Sequence, residues 1–213
     1  MKKALAMAMA SVMILGLAAC GPKDTAGSAG STPSGSVSSS VSAQGSSSAV
    51  AQLDAPIAEG PVLLSTAGQS ADVEMVKVLL EKAGLTCTMD NAADGTNLGD
   101  AKTLVLAVGG SSKGLGTAGT DADSEIARVD ALTKAAKDAG MTVIAVHVGG
   151  TARRGDLSDK FLKPGFDRAD YAVVVESGDA DGKMAGMAAE HGIPMAYADS
   201  MATVVDPLKA AFK

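Results

Sequence analysis

The chain has 213 residues, a formal charge of −6 and only two Tyr, three Phe and no Trp. An acidic chain with so few aromatic side chains lacks the basic face and stacking platforms that nucleic acids require, so we exclude nucleic acid as a partner. Two cysteines are too few for a disulfide framework or a cysteine-based zinc site.

Residues 1–20 predict a secretory signal. Two lysines precede an apolar run at 4–17, which is shorter than the roughly 20 residues that a membrane-spanning helix needs. The sequence Leu-Ala-Ala-Cys that ends the signal resembles the bacterial lipobox, whose cysteine is diacylated, for example with palmitate. The alternative is an ordinary signal peptide with a chance cysteine. We expect lipidation at Cys20, which anchors the protein outside the cytoplasmic membrane.

The rest of the chain divides into a tether and one domain. Residues 21–53 consist mostly of Ser, Gly, Ala, Thr and Pro, a composition that buries too little apolar surface to fold. Residues 54–213 are long enough for a single domain with a substantial core. They keep 15 basic and 23 acidic residues, a formal charge of −8.

Short apolar runs alternate with helical patterns throughout this domain. Strands are predicted at 61–65, 86–89, 103–108, 142–148, 171–175 and 194–198, and helices at 71–83, around 126–136, at 182–191 and at 201–212. Ser70 is predicted to cap the first helix, and Gly84, Gly140 and Gly192 to end the first three. The alternation predicts an α/β three-layer sandwich. Its sheet of five to six strands is mostly parallel and flavodoxin- or Rossmann-like, in the order 2-1-3-4-5 with the sixth strand at the edge.

In such a sheet, ligands bind at the carboxyl ends of the strands, where the strand order reverses. This point lies between the first and third strands, beside the loop that follows the fourth. The predicted ligand-binding residues are those that these loops and strand ends contribute: Thr66, Gly68, Gln69, Ser70, Gly109, Gly110, Ser111, Ser112, Lys113, Gly114, His147, Gly149, Gly150, Arg153 and Arg154.

The glycine-rich stretch GGSSKGLG at 109–116 is predicted to be a loop that accepts a small anionic or polar ligand. It lacks the lysine after its second spaced glycine that a phosphate-binding P-loop requires. Residues 114–119 match the dinucleotide pattern G-x-G-x-x-G, but they follow the third strand rather than the first and do not open directly into a helix. A wide flexible turn remains the structural alternative.

Charged residues in the other loops have two interpretations each. Arg153 and Arg154 offer planar forks suited to carboxylate or phosphate, or they pair internally with Asp156 or Asp159. His147 is either a general base facing the cleft or a buried, hydrogen-bonded core histidine.

Metal, cofactor and nucleophile signals are weak. The acidic clusters at 121–125 and 179–182 do not complete an EF-hand loop and are explained by acidic residues in a first helical turn. No serine lies in a G-x-S-x-G elbow. We therefore predict no metal, no cofactor and no catalytic residue.

Three segments carry a resemblance to a known family. PVLLSTAGQSADVEMVK, LVLAVGGSSKGLGTAGTDADSEIARV and VIAVHVGGTARRGDLSDKF resemble the bacterial domain-of-unknown-function family 6305. The resemblance covers about 61–210 and implies a secreted or lipid-anchored protein. It implies no established activity, so it assigns no catalytic residue.

The leading functional hypothesis is a tethered module that binds a small anionic or polar ligand. The alternatives are an enzyme that uses the same cleft on a phosphorylated or acylated substrate, with His147 as its base, and an interaction module whose partner is a protein of an envelope or transport complex. The interaction module requires an exposed apolar patch.

Overall fold

The computed structural model describes residues 53–213, and these contain all six predicted strands. The strands are β1 (Val62–Ala67), β2 (Cys87–Met89), β3 (Thr103–Val108), β4 (Thr142–His147), β5 (Tyr171–Val175) and β6 (Met195–Ala198). They form one sheet in the order β2-β1-β3-β4-β5-β6, and every neighbouring pair is parallel. The predicted strand order is confirmed.

Helices cover both faces of this sheet. They are α1 (Asp72–Lys82), α2 (Ser112–Ala118), α3 (Ala122–Asp138), α4 (Asp156–Asp159), α5 (Leu162–Phe166), α6 (Lys183–His191) and α7 (Val205–Ala211), with short 3₁₀ turns at Gly150–Arg153, Glu176–Asp179 and Met201–Val204. The predicted final helix at 201–212 is therefore a 3₁₀ turn followed by α7. The glycines predicted to end α1, α3 and α6 have φ angles of +85°, +74° and +66°, as helix-ending glycines require.

Two hydrophobic cores lie on the two sides of the sheet. One is closed by α3, α5 and α6 and includes Leu132 and Phe166. The other is closed by α1 and α7 and includes Leu64, Val76 and Leu208. Because both faces are covered, every residue of β1, β3 and β5 is buried. The predicted three-layer sandwich is confirmed.

Residues 112–118 form α2 instead of the loop or wide turn that the sequence predicted. Gly114 and Gly116 lower the helix propensity of this segment by about 1 kcal/mol each. Two interactions outweigh that cost: the Ser111 hydroxyl accepts a hydrogen bond from the Gly114 N–H at 3.0 Å, and Leu115 packs into the core.

The segment after β4, predicted as a loop at 149–160, is also ordered. It contains a 3₁₀ turn and α4 and leads into α5, and the side chains of Phe161 and Phe166 that follow are fully buried. This segment lies over the ends of β1 and β3, where Phe161 reaches Gly68 and the backbone of Leu157 reaches Gly110.

The described chain starts and finishes at the amino edge of the sheet. Ala58 forms a bridge with Phe212, and the Ile57 carbonyl accepts a hydrogen bond from the Thr142 hydroxyl at the start of β4. Within 53–213, no helix has the length and apolar character needed to cross a membrane. The predicted signal, the lipidation site Cys20 and the predicted tether up to residue 52 lie outside the described residues.

Candidate functional site

The loops after β1 and β3 meet at the carboxyl edge of the sheet. Gln69 and Gly110 form an isolated antiparallel bridge, and the Ser111 N–H donates to the Gly68 carbonyl at 2.9 Å. The strand order therefore brings together two of the three loops that the sequence assigned to the ligand site. The predicted residues of these loops nevertheless differ in their surroundings. Some contact other atoms of the protein, and others line open space.

Several glycines of the predicted site make room for the chain's own atoms. A Cβ on Gly68 would lie 2.6 Å from the Phe161 ring, and one on Gly110 would lie 2.9–3.0 Å from the backbone at 157–158. A Cβ on Gly149 would overlap Arg153, and one on Gly150 would lie 2.6 Å from the Ser177 hydroxyl. The space beside these glycines is thus filled by the segment that follows β4 and, at Gly150, by Ser177 after β5.

Arg154 is saturated by the protein itself. Its Nε and Nη2 donate to the two carboxylate oxygens of Asp159 at 2.9 and 3.1 Å, and its remaining N–H groups reach both oxygens of Asp181 and the Gly178 carbonyl. A guanidinium has five N–H donors, and all five are engaged. Of the two interpretations of Arg154, the structure shows the internal pairing, although only one of its partners, Asp159, was predicted.

This cluster predicts acid-sensitive stability. The hydrogen bond from Arg154, followed by one from Lys183, holds the pKa of Asp159 well below its usual range. A carboxyl whose pKa is lower in the folded state than its unfolded value of about 3.9 stabilises the fold at neutral pH, and this contribution is lost as the pH falls below about 5. We expect Asp159→Asn to unfold at a lower urea concentration than the wild type at pH 7. The difference between the two urea midpoints should be smaller at pH 3. A difference of equal size at both pH values would show that the Asp159 carboxylate is not the source of the acid sensitivity.

Arg153 is only partly engaged. Its Nε donates to Oδ2 of Asp72 at 2.9 Å, and 35% of its side chain is exposed. Its two terminal nitrogens have no hydrogen-bond partner among residues 53–213. Asp72, the first residue of α1, is the internal partner here, and neither Asp156 nor Asp159 takes that role.

His147 lies inside the protein, away from solvent. It is fully buried, its Nδ1 lies 3.0 Å from the Val108 carbonyl oxygen, and its Nε2 lies 3.4 Å from that of Gly150. The structure therefore shows the core histidine of the two interpretations. Thr66 is also fully buried, and its hydroxyl donates to the Ala107 carbonyl at 3.4 Å.

Five residues of the predicted site line an open cleft between α1 and α2. A cleft of about 400 Å³ separates the start of α1 from α2. Its lining includes five residues of the predicted site, namely Gln69, Ser70, Ser111, Lys113 and Gly114. Glu74 on α1 and Asn91 after β2 also line it, and the sequence analysis missed both.

A buried ion pair holds the loop that forms the floor of this cleft. Glu125 on α3 is 1% exposed and binds Arg128 through two hydrogen bonds of 2.7 and 2.8 Å. The same carboxylate accepts the Gly68 N–H at 3.0 Å and the Gln69 amide at 3.1 Å. Arg128 also donates to the Thr66 carbonyl, so α3 is tied to the end of β1.

Gln69 takes an unusual backbone conformation as a result. Its φ is +55°, and it is the one non-glycine residue with positive φ among residues 53–213. Residues other than glycine rarely adopt a positive φ, and surrounding contacts must hold them in that backbone conformation. Here the amide nitrogen of Gln69 is held by Glu125 and by the backbone carbonyl of Asn91 at 3.0 Å.

Asn91 leaves one polar atom without a partner. Its side-chain oxygen Oδ1 is buried and accepts no hydrogen bond from any residue of 53–213. A buried acceptor without a donor costs about 1–3 kcal/mol, so such atoms are rare in folded proteins. Other atoms of Asn91 contribute to the lining of the cleft.

The acidic clusters that the sequence analysis considered for calcium act as helix caps. Oδ1 of Asp121 accepts the Ser124 N–H at 2.8 Å at the start of α3. The buried Asp179 carboxylate accepts two N–H groups at the start of α6 and the Tyr197 hydroxyl at 2.7 Å. Burial, together with this hydrogen bond, raises the pKa of Tyr197. Among residues 53–213 no group of three metal-ligating side chains converges.

Comparison with known proteins adds a family but no activity. No curated protein matches the chain significantly. A solved GDSL-like lipase from Bacteroides thetaiotaomicron is similar over 64% of this chain and 66% of its own chain, which is just under two thirds. The sequence identity is 14% and the TM-score is 0.30, so this likeness carries no argument about the site. A family model described as a domain of unknown function (DUF6305) matches residues 59–212. The chain belongs to this family, as its three resembling segments predicted.

Proposed function

We propose that the protein is a lipid-anchored, extracytoplasmic binding protein that captures a small polar ligand in the cleft between α1 and α2. The observation that carries this proposal is a cleft whose two walls present exposed side chains of opposite charge, Glu74 and Lys113, neither of which forms an ion pair within 53–213. The cleft volume of about 400 Å³ falls in the range of small-molecule sites.

A second cleft of about 380 Å³ borders β2, and it lacks this feature. Its lining contains carboxylates but no cation, and two of its polar side chains already bond their own loop: Oδ1 of Asp90 accepts the Ala92 N–H at 2.9 Å, and Oδ1 of Asn97 accepts the Gly99 N–H at 3.1 Å. Satisfied polar groups of this kind gain little from a ligand. We therefore place the ligand between α1 and α2.

The position of the cleft is compatible with an N-terminal anchor. The described chain begins at the amino edge of the sheet, beside β4 and the C-terminus, whereas the cleft lies at the carboxyl edge. A domain tethered through residue 53 would therefore present the cleft away from its point of attachment. The signal-like sequence at 1–20 is the support for the anchor itself.

Binding is a better proposal than catalysis or protein interaction. The enzyme predicted from the sequence would use His147 as its base, and His147 is fully buried and does not line this cleft. An interaction module would need a contiguous apolar patch, and α1 exposes only Met75 and Val78, by 43% and 41%. Two neighbouring side chains are smaller than the patches that mark interfaces.

We expect one class of small polar compound to raise the thermal unfolding midpoint of the full chain. A ligand at a hundred times its dissociation constant stabilises by about 2.7 kcal/mol, which corresponds to roughly 5–10 °C for a domain of this size. Carboxylates, phosphates, amines, sugars, nucleosides and amino acids are tested separately. Lys113→Met should reduce the shift, whereas the control Lys160→Met, at an exposed lysine outside the cleft, should not.

Two results would contradict the proposal. One is the absence of any shift across all six compound classes at millimolar concentration. The other is a shift of equal size in the wild type and in Lys113→Met, because the ligand would then bind elsewhere.

A further inference from the structure

We infer that the ligand of this cleft is zwitterionic, a small molecule that carries one ammonium and one carboxylate group, as a free α-amino acid does. This inference rests on the proposed function, since it names the chemistry of the same cleft. It follows from the charges on the two walls and from the two carboxylates in the first turn of α1.

The two walls of the cleft carry opposite charges. Helix α1 contributes Glu74, and α2 contributes Lys113. Both are exposed, and neither forms an ion pair with any residue of 53–213, so no contact of 4.0 Å or less joins them to each other. A molecule lying between the walls therefore meets a negative and a positive side chain that have no partner of their own.

A purely anionic ligand fits this arrangement poorly. The first turn of α1 contains two carboxylates, Asp72 and Glu74, which repel an anion. Three of its N–H groups are also occupied: those of Asp72 and Val73 donate to the Ser70 hydroxyl and carbonyl, and that of Glu74 donates to the Ala71 carbonyl. Lys113 is the one cation among the residues that line the cleft.

A purely cationic ligand would in turn meet Lys113. The ammonium of a zwitterion, by contrast, has three N–H donors for the Glu74 carboxylate. Its carboxylate is the natural partner of Lys113. Both wall charges are then paired by one neutral molecule. The apolar part of the lining, Ala71, Val73 and Ala118, would contact an aliphatic side chain.

The test compares matched molecules that differ by one charge. The twenty L-α-amino acids are tested singly with the full chain by thermal unfolding. The best of them is then measured by calorimetry beside its deaminated acid and its decarboxylated amine; for leucine these are 4-methylpentanoate and 3-methylbutylamine. We expect the amino acid to bind at least about tenfold more tightly than either analogue.

Two substitutions assign the charges to the walls. Glu74→Gln should weaken the amino acid about tenfold and leave the affinity for the deaminated acid unchanged or raised. Lys113→Met should weaken the amino acid and the deaminated acid but not the amine. Both side chains are exposed and unpaired within 53–213, so the midpoint without ligand should stay the same, which shows that the variants fold.

The outcomes separate this inference from the proposed function. If the deaminated acid binds as tightly as the amino acid and Glu74→Gln changes neither, the ligand is an anion and the inference is wrong, while the binding function stands. The inference is also wrong, and the binding function still stands, if the compounds that bind all belong to another polar class and their binding depends on Lys113. If no compound of either panel binds, both the inference and the proposed function are wrong.

Discussion

Replacing Glu125 by alanine lowers the free energy of unfolding by about 3–5 kcal/mol, the usual cost of removing one partner from a buried ion pair. The glutamate is 1% exposed, and its loss leaves the Arg128 guanidinium among carbonyl groups without its counter-charge. The Gly68 N–H loses its acceptor as well, and the Gln69 side-chain amide keeps only the Asn91 carbonyl. Urea unfolding followed by circular dichroism measures the effect.

A matched control lies on the same helix. Lys134 and Asp138 form an i,i+4 ion pair in which both side chains are about two-thirds exposed, at 66% and 64%. Asp138→Ala should change the stability by no more than about 0.5 kcal/mol. If Glu125→Ala cost as little as this control, the buried pair would not hold the loop at the end of β1. Ligand binding should also be lost in Glu125→Ala, since Gln69 lines the cleft.

Two alanine substitutions in α2 should have effects of opposite sign. A Cβ on Gly114 would overlap the backbone carbonyl oxygen of Gln69, so α2 must move away from the loop. Such overpacking costs about 1–3 kcal/mol and displaces one wall of the cleft. A Cβ on Gly116, two residues along, meets nothing within 4 Å. Gly116→Ala should therefore stabilise the protein by about 0.5–1 kcal/mol, because alanine favours a helix over glycine.

Thermal and urea unfolding of both variants checks this pair of predictions. Gly116→Ala should keep full ligand affinity, whereas Gly114→Ala should lose most of it. Equal stability changes in the two variants would contradict the close approach of α2 to Gln69. Loss of binding in Gly116→Ala would instead indicate that the ligand contacts a face of α2 outside the cleft.

The sequence predicted the fold well because its signals are local. Each strand is a short apolar run, and α1, α3 and α6 each end at a glycine with positive φ. Strands that alternate with helices leave few topologies, since crossovers are right-handed. Among these topologies, the flavodoxin-like order that we predicted is the one that the sheet adopts. Local signals failed at α2, where a single cap and one buried leucine outweigh two glycines.

The candidate site was predicted only in part, because its polar groups find their partners across long sequence distances. Gln69 and Glu125 are 56 residues apart, and Arg153 and Asp72 are 81 apart. In the sequence, Glu125 looks like an acidic residue in the first turn of an exposed helix, yet it is buried. The fold determines which predicted groups form hydrogen bonds within the protein, as Arg154 and His147 do. It also determines which groups face open space, as Lys113 does.

Asn91 is a residue of the candidate site that the sequence did not reveal. Nothing in the stretch Asp-Asn-Ala-Ala-Asp indicates that one amide oxygen is buried without a donor. The neighbours of Asn91 include the distant Gln69, whose side chain donates to the Asn91 backbone carbonyl. A polar loop residue of this kind becomes a site candidate only when its neighbours are known.

The most direct test of the central claim is a heteronuclear NMR titration of the protein with the compound that stabilises it most. The account predicts that the largest shifts fall on the amides of Gln69, Ser70 and 111–114 and on the side-chain amide of Asn91. Shifts centred instead on 97–101, beside the second cleft at β2, would contradict the assignment of the ligand to the cleft between α1 and α2.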